Sequence, residues 1–425
     1  MTKKTFQAPR GTRDLLPDDQ VYFDYLNSTF KNVVKAAGFR QITTPAFEDT
    51  NLFVRGVGKE TDVVDKEMYS FVDKSNNSLT LRPEGTAPIV RSYLENGMQA
   101  WPQPVKLYYT MSMYRYDRPQ AGRYREFWQY GLEMIGDKEP FADVMVISTA
   151  YRFYQKLGLA DHITLQLNSI GCQKCRPKYI KELTSFYKEN EKKICNNCKS
   201  RVESNPLRLL DCKEAKCQAL IEEAPQVINF LCTECHDHFK KVLELLDEIN
   251  VTYEINPRLV RGLDYYTRTV FEFWTDRDGS QNALCGGGRY DNLVENFGGK
   301  STPALGFAGG TDRTIEFIKS HPEIEILESR KVDIFVVQLG NEARKNCLKL
   351  LSSFWDEEVA AEGGLDKEGI SGQLSHANRL QAKYALIIGQ KEAYDQTVII
   401  KEMASGNQET YPLDKIVKEI KKRLK

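Results

Sequence analysis

Residues 260 to 273 read VRGLDYYTRTVFEF. The second half alternates polar and apolar residues and is rich in threonine, valine and phenylalanine, which is typical of a β-strand. The first half instead carries Arg261, Asp264 and two tyrosines, where a strand that only built a core would be apolar. The stretch therefore predicts a strand with a polar head, and the function of that head must be sought in the rest of the chain.

Length and charge limit the class of protein. A chain of 425 residues exceeds the usual size of one hydrophobic core and predicts two to four structural units, and we expect three. With 59 basic and 59 acidic residues the chain is not a generally basic nucleic-acid coat, so any RNA partner must bind to local patches. The sequence shows no apolar signal segment and no apolar run of membrane length. We expect a cytoplasmic protein with no membrane partner.

Hydrophobic patterns predict the order of the elements. Apolar residues at helical spacing follow Pro17 and stop at Gly38, which predicts a long amphipathic first helix. Between residues 66 and 136, β-rich runs alternate with polar turns, which predicts antiparallel strands. LCGGGRYDNLV (284–294) is interpreted as a glycine-rich turn that lets a backbone approach a ligand. Residues 320 to 331 predict a linker, and the strand and helix patterns beyond it predict an independent α/β domain.

Three arginines stand at or near the ends of predicted strands. Arg115 lies in MYRYDRPQAGRYREF, Arg261 in VRGLDYY and Arg313 in GGTDRTI. A guanidinium carries five donors and is costly to bury unless a carboxylate or a phosphate meets it. Each arginine taken alone is more simply a surface residue or one half of an ion pair. The three together predict a site for an anionic ligand.

The segment DRPQAGRYRE, residues 117 to 126, connects two of the predicted strands. Three arginines, Arg118, Arg123 and Arg125, flank a proline and a glycine in it. Because a guanidinium group can make bidentate contacts with phosphate oxygens, we interpret the segment as a mobile hairpin loop that closes on polyphosphate or RNA. A solvated turn is the alternative interpretation.

Eight of the ten cysteines fall between Cys172 and Cys235. They form CxxC and CxxxxC pairs, the spacing at which thiolates hold tetrahedral Zn²⁺, in a chain whose lack of an export signal predicts reduced thiols. Eight ligands could serve two ions, four could serve one, or the cysteines could be reduced and partly buried without a metal. His236 and His238 are possible substitutes, although a surface position is simpler for both. The candidate ligands of a structural Zn²⁺ are Cys172, Cys175, Cys195, Cys198, Cys212, Cys217, Cys232 and Cys235.

Six segments together resemble the class II aminoacyl-tRNA synthetases, and within that class the histidyl-tRNA synthetases. The resemblance covers nearly the whole chain. The pair RGLDYY and GGGRYD is specific to the histidine enzymes, whereas the segments around Arg115 and Arg313 are shared more widely in the class. The six segments are PRGTRDLLP (9–17), LRPEGTAPIVR (81–91), RYDRPQAGRYREFWQYGLE (115–133), RGLDYYTRTVFEF (261–273), LCGGGRYD (284–291) and GFAGGTDR (306–313).

The resemblance implies an α+β fold with a class II antiparallel-sheet catalytic core over residues 1–325. It implies a small inserted cysteine-rich helical subdomain at about 171–240 and a C-terminal α/β anticodon-binding domain over 326–425. It also implies a homodimer that pairs through the first helix and the segment around Pro45. A proline cannot donate to a β-ladder, so Pro45 belongs on an edge or at an interface, or it ends a strand.

For the polar head, the resemblance implies a histidine site. Arg261 would lie beside the α-phosphate and the substrate carboxylate, while Tyr266 would reach the imidazole. Glu133 would contact the other ring nitrogen, so that two polar groups held apart recognise both nitrogens. For Tyr265 ordinary sheet packing remains an alternative. Glu84, Thr86 and Gln129 would hold the α-amino and carboxylate ends, and the full implied substrate set is Glu84, Thr86, Gln129, Glu133, Arg261, Tyr265, Tyr266 and Tyr290.

By the same resemblance Arg115 would bind the α-phosphate of ATP and Arg313 the γ-phosphate, with Arg123 and Gln120 near ATP or the acceptor end of tRNA(His). Arg115 and Arg261 would be the catalytic residues. The carboxylate of histidine would attack the α-phosphorus in line, and histidine would then pass from the adenylate to the terminal ribose of the tRNA. The first step needs positioning and charge neutralisation more than a base, so arginines and Mg²⁺ suffice.

The segment before Arg313 departs from the family pattern. The family usually has a glutamate before this arginine and a bulky apolar residue two or three places earlier, whereas this chain has Gly309-Gly310-Thr311-Asp312. The shorter carboxylate and the extra glycine could loosen the loop or shift a metal contact, and we expect activity to survive the change.

Two other classes of protein compete with the ligase. The first is the synthetase-like regulatory subunit of the histidine-pathway phosphoribosyltransferase, which keeps the fold but typically lacks the anticodon domain and several substrate residues. This chain has matches both to the anticodon domain and to those substrate residues. The second is a zinc-dependent nucleic-acid module, which would explain the cysteines and leave the three arginines without a function.

Overall fold

The computed structural model describes the chain in segments, and its contacts divide it into two compact units, residues 1–326 and 327–425. The first unit contains an eight-stranded sheet, a three-stranded sheet and a cysteine-rich helical insert, and the second contains a five-stranded sheet. The described residues are 6–59, 61–119, 122–276, 282–324, 326, 332–364 and 369–424.

The α-helices of the described segments are α1 (Pro17–Ala36), α2 (Thr50–Gly56), α3 (Thr86–Glu95), α4 (Pro140–Lys156), α5 (Arg176–Glu189), α6 (Asn196–Ser204), α7 (Ala215–Glu223), α8 (Thr233–Glu248), α9 (Leu293–Asn296), α10 (Thr311–Lys319), α11 (Asn341–Asp356), α12 (Ile370–Arg379), α13 (Gln390–Asp395) and α14 (Ile416–Arg423). Short 3₁₀ turns cover Met98–Ala100, Ala160–His162, Glu191–Lys193, Pro206–Asp211, Val227–Phe230 and Leu413–Lys415, and a π turn covers Val63–Glu67. None of the described helices is long and apolar enough to cross a membrane.

The strands of the described segments are β1 (Arg40–Gln41), β2 (Phe47–Asp49), β3 (Ser70–Val72), β4 (Ser78–Leu81), β5 (Val105–Tyr114), β6 (Glu126–Ile135), β7 (Ile163–Ser169), β8 (Glu254–Ile255), β9 (Thr267–Thr275), β10 (Ala283–Arg289), β11 (Ala304–Gly310), β12 (Ile334–Gln338), β13 (Ala361–Gly363), β14 (Tyr384–Ile388), β15 (Thr397–Glu402) and β16 (Gln408–Pro412).

The eight-stranded sheet has the order β1-β5-β6-β11-β10-β9-β7-β8. Its central strands are antiparallel, and only the two short edge strands β1 and β8 pair in parallel with their neighbours. The predicted antiparallel core is therefore confirmed. Pro45 lies between β1, at the edge of this sheet, and β2, at the edge of the three-stranded sheet β2-β4-β3.

The first helix forms as the sequence predicts. Pro17 occupies the first turn, where its missing N–H costs nothing, and Gly38 follows the helix with a φ of +84°. The helix buries a stripe of apolar side chains against one face of the large sheet. Phe30 lies at the centre of this contact, with its ring 5.1 Å from the rings of both Tyr130 and Phe153. α1 and α4 thus cover one face of the sheet.

The opposite face of the same strands carries a second apolar cluster and, beside it, a polar region. On β6, Tyr130 and Leu132 belong to the core beneath α1 and α4, whereas Gln129, Gly131 and Glu133 face the other way, as the two-residue period of a strand requires. This alternation places a row of polar and small residues on the second face, next to the apolar cluster that α3 and α9 build there. The candidate site is built on that face.

Two predictions about the strands are wrong in part. The strand in VRGLDYYTRTVFEF begins only at Thr267, so its polar head precedes β9 and belongs to no strand. The predicted glycine-rich turn is strand β10, which lies between β9 and β11 in the middle of the sheet. Glycine disfavours strands in general, but here it leaves space for side chains of neighbouring segments. A Cβ on Gly286 would lie 2.2 Å from Nη1 of Arg261.

A buried ion pair ties β10 to α4. Arg289 is fully buried, and its Nη1 donates to Oδ2 of Asp143 at 2.5 Å. The Nε2 of His238 lies 3.2 Å from the same carboxylate oxygen. The predicted surface position is therefore wrong for His238, whereas His236 is exposed.

The second unit has the predicted α/β pattern. Its sheet has the order β13-β12-β14-β15-β16, with parallel pairs on one side and antiparallel pairs on the other. The sequence predicted β12, β14 and β15 but missed the short edge strands β13 and β16, which are polar or only three residues long. Most of the predicted linker from 325 onward lies outside the described residues.

Candidate active site

The three arginines predicted from the sequence line one cavity of about 340 Å³. The cavity lies on the second face of the large sheet, where Gln129 and Gly310 are opposite each other on β6 and β11. Gln120 lies outside the described residues. The other predicted residues that line the cavity are Glu84, Thr86, Arg123, Gln129, Tyr265, Tyr266 and Tyr290.

Arg115 extends from the end of β5 into the cavity. Its Nε donates to the carbonyl of Pro83 at 2.8 Å, and its guanidinium lies 5.5 Å from the centre of the Phe127 ring. The carbonyl fixes one edge of the guanidinium group and carries no full charge. The positive charge is therefore held in place beside the cavity.

Arg261 is positioned by the strands it faces. It pairs with the carboxylate of Glu272 on β9, and its guanidinium lies 5.6 Å from the centre of the Tyr266 ring. Its Nε is buried without a hydrogen-bond partner. Gly286 on β10 provides the space that the guanidinium occupies. A buried donor without a partner indicates a place for an acceptor from a ligand.

Arg313 lies in the first turn of α10, and its Nη1 donates to the carbonyl of Ala283 at 2.8 Å. Burial lowers the pKa of Arg313, and the positive charges of Arg123 and Arg115 lower it further. Like charges that disfavour one another in the free protein would be relieved by an anion between them. This end of the cavity is thus suited to a polyanion.

The arginines of the hairpin between β5 and β6 have different environments. Arg123 lines the cavity and pairs with Asp117 at 2.9 Å. Arg125 instead places its guanidinium 3.8 Å from the centre of the Tyr116 ring, and Arg118 is exposed outside the cavity lining. Of these three arginines, Arg123 alone joins the predicted site.

Glu133 lies behind the wall of the cavity and does not line it, whereas its partners Thr86 and Tyr290 do, and we call this part of the site the acidic end. Glu133 is 1% exposed, and it accepts hydrogen bonds from the hydroxyls of Thr86 at 2.8 Å and of Tyr290 at 2.6 Å. A Cβ on Gly306 would lie 1.8 Å from its carboxylate, so only glycine fits opposite it. Burial raises the pKa of Glu133 to about 8. The carboxyl can therefore change its protonation near neutral pH.

Glu84 lies beside this acidic end and also organises a helix. Its two carboxylate oxygens accept the backbone N–H groups of Thr86 at 2.7 Å and Ala87 at 2.8 Å, at the start of α3. Burial raises the pKa of Glu84, and those two N–H groups oppose the shift. The carboxylate is thereby fixed at the edge of the cavity.

Aromatic hydroxyls and an amide complete the wall. The rings of Tyr265 and Tyr266 lie 4.7 Å apart, and Tyr265 also packs edge-on against Tyr290 at 5.6 Å. Both Oε1 of Gln129 and the hydroxyl of Tyr109 are buried without a hydrogen-bond partner. Buried polar atoms without partners next to a cavity are ready to bind a polar ligand.

Several site residues escaped the sequence analysis. Glu67, Asp117 and Glu272 line the cavity, and Tyr109 lies under Gly85 and Gly131. Asp117 and Glu272 stand in quoted motifs, so a search for carboxylate partners of the arginines would have found them. Glu67 belongs to a π turn that is distant in sequence from the arginine segments. The sequence around it carries no pattern that indicates a binding site.

The unusual Asp312 is held by protein groups. Its Oδ1 accepts from Nη2 of Arg13 at 2.7 Å and its Oδ2 accepts from the backbone N–H of Trp128 at 3.0 Å. The first contact ties the N-terminal arm to α10, and the second ties α10 to β6. The short carboxylate thus fastens this segment, in contrast to the loosening that its departure from the family pattern suggested.

The antiparallel sheet, the arginine-lined cavity and the separate α/β unit define a class II aminoacyl-tRNA synthetase. A family model described as Histidyl-tRNA synthetase matches residues 11–313, and one described as Anticodon binding domain matches residues 333–423. The chain belongs to the histidyl-tRNA synthetase family. It is accordingly an enzyme of the aminoacyl-tRNA ligase class.

Curated relatives and solved structures agree with this family. The chain is 44% identical to the histidine–tRNA ligase of Dehalococcoides mccartyi, over 99% of this chain and 100% of the relative. It is 43% identical to that of Acetivibrio thermocellus, over 98% of this chain and 99% of the relative. The crystal structure of apo S. aureus histidyl-tRNA synthetase matches 98% of this chain and 100% of its own, with a TM-score of 0.82 and 35% identity.

Proposed function

We propose that this chain activates histidine with ATP, forming histidyl-adenylate and pyrophosphate, and then transfers histidine to the 3′ end of tRNA(His). The observation that carries the proposal is the single cavity that Arg115, Arg261 and Arg313 share with Glu84, Tyr266 and the Glu133-bound hydroxyls. A nucleotide triphosphate matches its positive end. An amino acid with a polar ring matches its acidic and phenolic end.

The positive end is assigned to ATP. Arg115 binds the α-phosphate and Arg313 the γ-phosphate, while Arg123 approaches from the hairpin. Bidentate guanidinium contacts suit phosphate oxygens. Burial and the positive charges of Arg123 and Arg115 lower the pKa of Arg313, and a bound phosphate would offset that repulsion.

Mg²⁺ fits this end of the cavity as well. Glu67 and Asp117 line the cavity on the same side as Arg115, and carboxylate oxygens are ligands that Mg²⁺ prefers. Burial raises the pKa of Glu67, Arg115 opposes the shift, and the nearby charge of Asp117 adds to it. These two carboxylates would hold the ion. When bound, Mg²⁺ neutralises phosphate charge.

The acidic end is assigned to histidine. Tyr266 and Glu133 approach the imidazole from different sides, so each ring nitrogen meets its own polar group. Glu84 and Gln129 bind the α-amino group, and the unpartnered Oε1 of Gln129 gains a donor when the ammonium arrives. A site whose polar groups must all be paired rejects amino acids that leave them unpaired.

The first step is an in-line displacement. An oxygen of the histidine carboxylate attacks the α-phosphorus, the bond to the bridging oxygen breaks, and pyrophosphate leaves. Arg115 and Arg261 neutralise charge on the α-phosphate, and Glu272 keeps the Arg261 guanidinium oriented. Because the attacking carboxylate is already ionised, the step needs no base from the protein.

Transfer to tRNA is assigned to both units. We assign residues 1–325 to the catalytic core, with the cysteine-rich insert at about 171–240, and residues 326–425 to anticodon binding. Gln120 and Arg123 stand in the hairpin that would meet the acceptor end. Helix α14 and the turn before it present the exposed lysines Lys415, Lys418 and Lys422.

A homodimer in the cytoplasm is part of the proposal. Near Pro45, the side chains of Phe47, Phe71 and Val72 are exposed on the three-stranded sheet, which is unusual for large apolar residues unless a partner covers them. None of the ten cysteines, which all lie in the described residues, forms a disulfide, and this suits a reducing compartment. Light-scattering mass measurement should give a dimer, and Phe47→Ser with Phe71→Ser should shift the mass towards the monomer.

The decisive experiment measures histidine-dependent ATP–pyrophosphate exchange beside charging of tRNA(His). Both activities are expected. Exchange without charging would locate a defect in tRNA binding, whereas absence of both in folded protein would overturn the proposal and favour the regulatory subunit. Replacing histidine with phenylalanine in the exchange assay is the matched control, because phenylalanine has no ring nitrogen with which Tyr266 could pair.

A further inference from the structure

The cysteines of the insert form two separate groups of four. Within each group, the four sulfur atoms all lie within 4.8 Å of one another. The first and last pairs of the sequence form one group, which we call the neck site, and the two middle pairs form the other, the distal site. The neck site is Cys172, Cys175, Cys232 and Cys235, and the distal site is Cys195, Cys198, Cys212 and Cys217.

The neck site has the dimensions of a tetrahedral sulfur cage. Cys172 Sγ lies 3.8 Å from Cys175 Sγ and 3.9 Å from Cys232 Sγ, and Cys175 Sγ lies 3.8 Å from Cys235 Sγ. A tetrahedron with Zn–S bonds of about 2.3 Å has edges of about 3.8 Å. The sulfurs are too far apart for disulfides, whose bond is about 2.05 Å. The four atoms therefore surround a space of the size of one ion.

The distal site repeats this geometry. Cys195 Sγ lies 3.9 Å from Cys212 Sγ, and Cys198 Sγ lies 3.9 Å from Cys217 Sγ. Backbone N–H groups point at the sulfurs, with Cys195 donating to Cys217 Sγ at 3.2 Å and Cys198 to Cys195 Sγ at 3.4 Å. Such donors stabilise thiolates rather than neutral thiols.

We propose that each group binds one structural Zn²⁺, and that the neck ion positions the segment that carries Tyr266. Four thiolates close a tetrahedral zinc site and leave no open position for catalysis. Four thiolates around one Zn²⁺ keep a net negative charge. At the neck site, the positively charged side chains of Arg176 and Arg268 lie near these cysteines. The nested pairing means that the neck ion joins the two ends of the insert, whose cysteines are 60 residues apart.

The neck site is linked to the histidine end of the cavity by two arginines. Arg176, which follows Cys175, donates through Nη2 to the carbonyl of Tyr266 at 2.6 Å. The backbone N–H of Arg268 donates to the carbonyl of Gly171 at 2.9 Å, and its side chain pairs with Glu234, which lies between the last two cysteines. Without the ion, both ends of the insert are released and these contacts lose their anchor.

The distal site stabilises a different surface. It holds α6 and the turn Pro206–Asp211, whose side chains dock on the core. Arg201 and Arg208 pair with Asp62 at 2.8 and 2.6 Å, and Asn205 donates to Asp264 at 3.0 Å. The distal ion therefore fixes the fold of the insert, and its effect on Tyr266 is indirect.

Metal analysis of the full chain, purified under reducing conditions without added chelator, tests the two sites. Two zinc ions per chain are expected. Cys172→Ser with Cys232→Ser, or Cys195→Ser with Cys212→Ser, should each leave one ion, and Cys347→Ser, a buried cysteine of the other unit, should leave two. One zinc ion or fewer per chain in the unchanged protein, or loss of both ions from either double variant, would overturn the proposal.

A spectroscopic measurement covers variants that do not fold. Exchange of the native metal for Co²⁺ in the unchanged protein should give the intense absorption bands of tetrahedral cobalt with thiolate ligands, at two equivalents per chain. Bands typical of octahedral oxygen ligands, or saturation at one equivalent or fewer, would also overturn the proposal.

The positioning role of the neck ion rests on the histidine assignment of Tyr266, and a split of kinetic constants tests it separately. The neck variant should raise the KM for histidine in pyrophosphate exchange about tenfold or more, since small displacements of binding groups have large effects, and leave the KM for ATP within about twofold. The distal variant should change both KM values less than the neck variant does. Protease should cut the distal variant faster than the unchanged protein within residues 190–223. An unchanged histidine KM would refute the role, and absence of exchange in the unchanged protein would refute the assignment while leaving the zinc sites standing.

Discussion

At one end of the cavity, the guanidinium groups of Arg115 and Arg313 donate hydrogen bonds to backbone carbonyls, and their positive charges repel each other. At the other end, Glu133 is enclosed by the hydroxyls of Thr86 and Tyr290. The first end reaches its best electrostatics only when an anion arrives, whereas at the second end the Glu133 carboxyl is already paired without a ligand. The comparison teaches that binding strength is expected from the arginine end and selectivity from the acidic end.

The largest effect is expected from removal of a phosphate-binding charge. Arg115→Ala should lower the rate of pyrophosphate exchange by about two to four orders of magnitude, because loss of a charge that stabilises the transition state has effects of this size. The fold should persist, since the hydrogen bond that the Arg115 side chain donates among the described residues goes to the carbonyl of Pro83. Arg118→Ala, in the same hairpin but outside the cavity, is the control. Near-normal exchange in Arg115→Ala would remove this arginine from the mechanism.

A smaller but still large loss is expected when Arg261 is displaced without being mutated. Gly286→Ala places a Cβ 2.2 Å from Nη1 of Arg261, and the guanidinium must move. Exchange should fall about a hundredfold with little change in melting temperature, because the flexible side chain yields. Gly369→Ala, whose Cβ meets open space, should leave exchange unchanged. Equal activity of the two variants would contradict the assigned position of Arg261.

The acidic end is tested by a single hydroxyl. Tyr290→Phe removes the 2.6 Å hydrogen bond to Glu133, and the KM for histidine should rise about tenfold while the KM for ATP stays unchanged. Tyr411→Phe removes a tyrosine–glutamate bond of 3.3 Å to Glu419 in the other unit and serves as the control. If both KM values rose together, the two ends would not be separate in function.

The smallest effect concerns stability. Burial raises the pKa of Glu133 to about 8 from the 4.5 of an exposed glutamate, so between these pH values the folded state holds a proton that the unfolded state releases. The contribution of Glu133 to stability therefore falls as pH rises through this window. Glu133→Gln should gain on the order of 1 kcal/mol relative to the unchanged protein between pH 5 and pH 8.

Thermal unfolding at several pH values measures this difference. Glu419→Gln is the control, because the bond from Arg423 lowers the pKa of Glu419 and no gain towards pH 8 is expected. A melting-temperature difference between Glu133→Gln and the unchanged protein that does not depend on pH would show that Glu133 is ionised throughout.

The sequence predicted α1, the antiparallel strands and the three converging arginines, because these depend on local periodicity and on recognisable motifs. It did not predict that LCGGGR (284–289) forms a strand, since glycine lacks the side chain on which strand propensity rests. The role of Gly286 becomes visible only when Arg261 is seen to fill the space beside it.

The pairing of the cysteines was also beyond the sequence. Spacing identified the pairs, but several combinations of pairs are possible, and the nested arrangement follows from how the insert folds back on itself. Glu67 and Tyr109 lacked any signal, because their contribution comes from the packing of segments distant in sequence. Contacts of long range account for most of what was missed.

Competition binding with a non-hydrolysable analogue of histidyl-adenylate tests the central claim most directly, since the claim is that both ends of the cavity hold parts of one ligand. Titration calorimetry should show one site per chain, with an affinity well above those of ATP and histidine alone. Saturating ATP and saturating histidine should each displace the analogue. Displacement by only one of them would show that the two ends belong to different sites and would contradict the account.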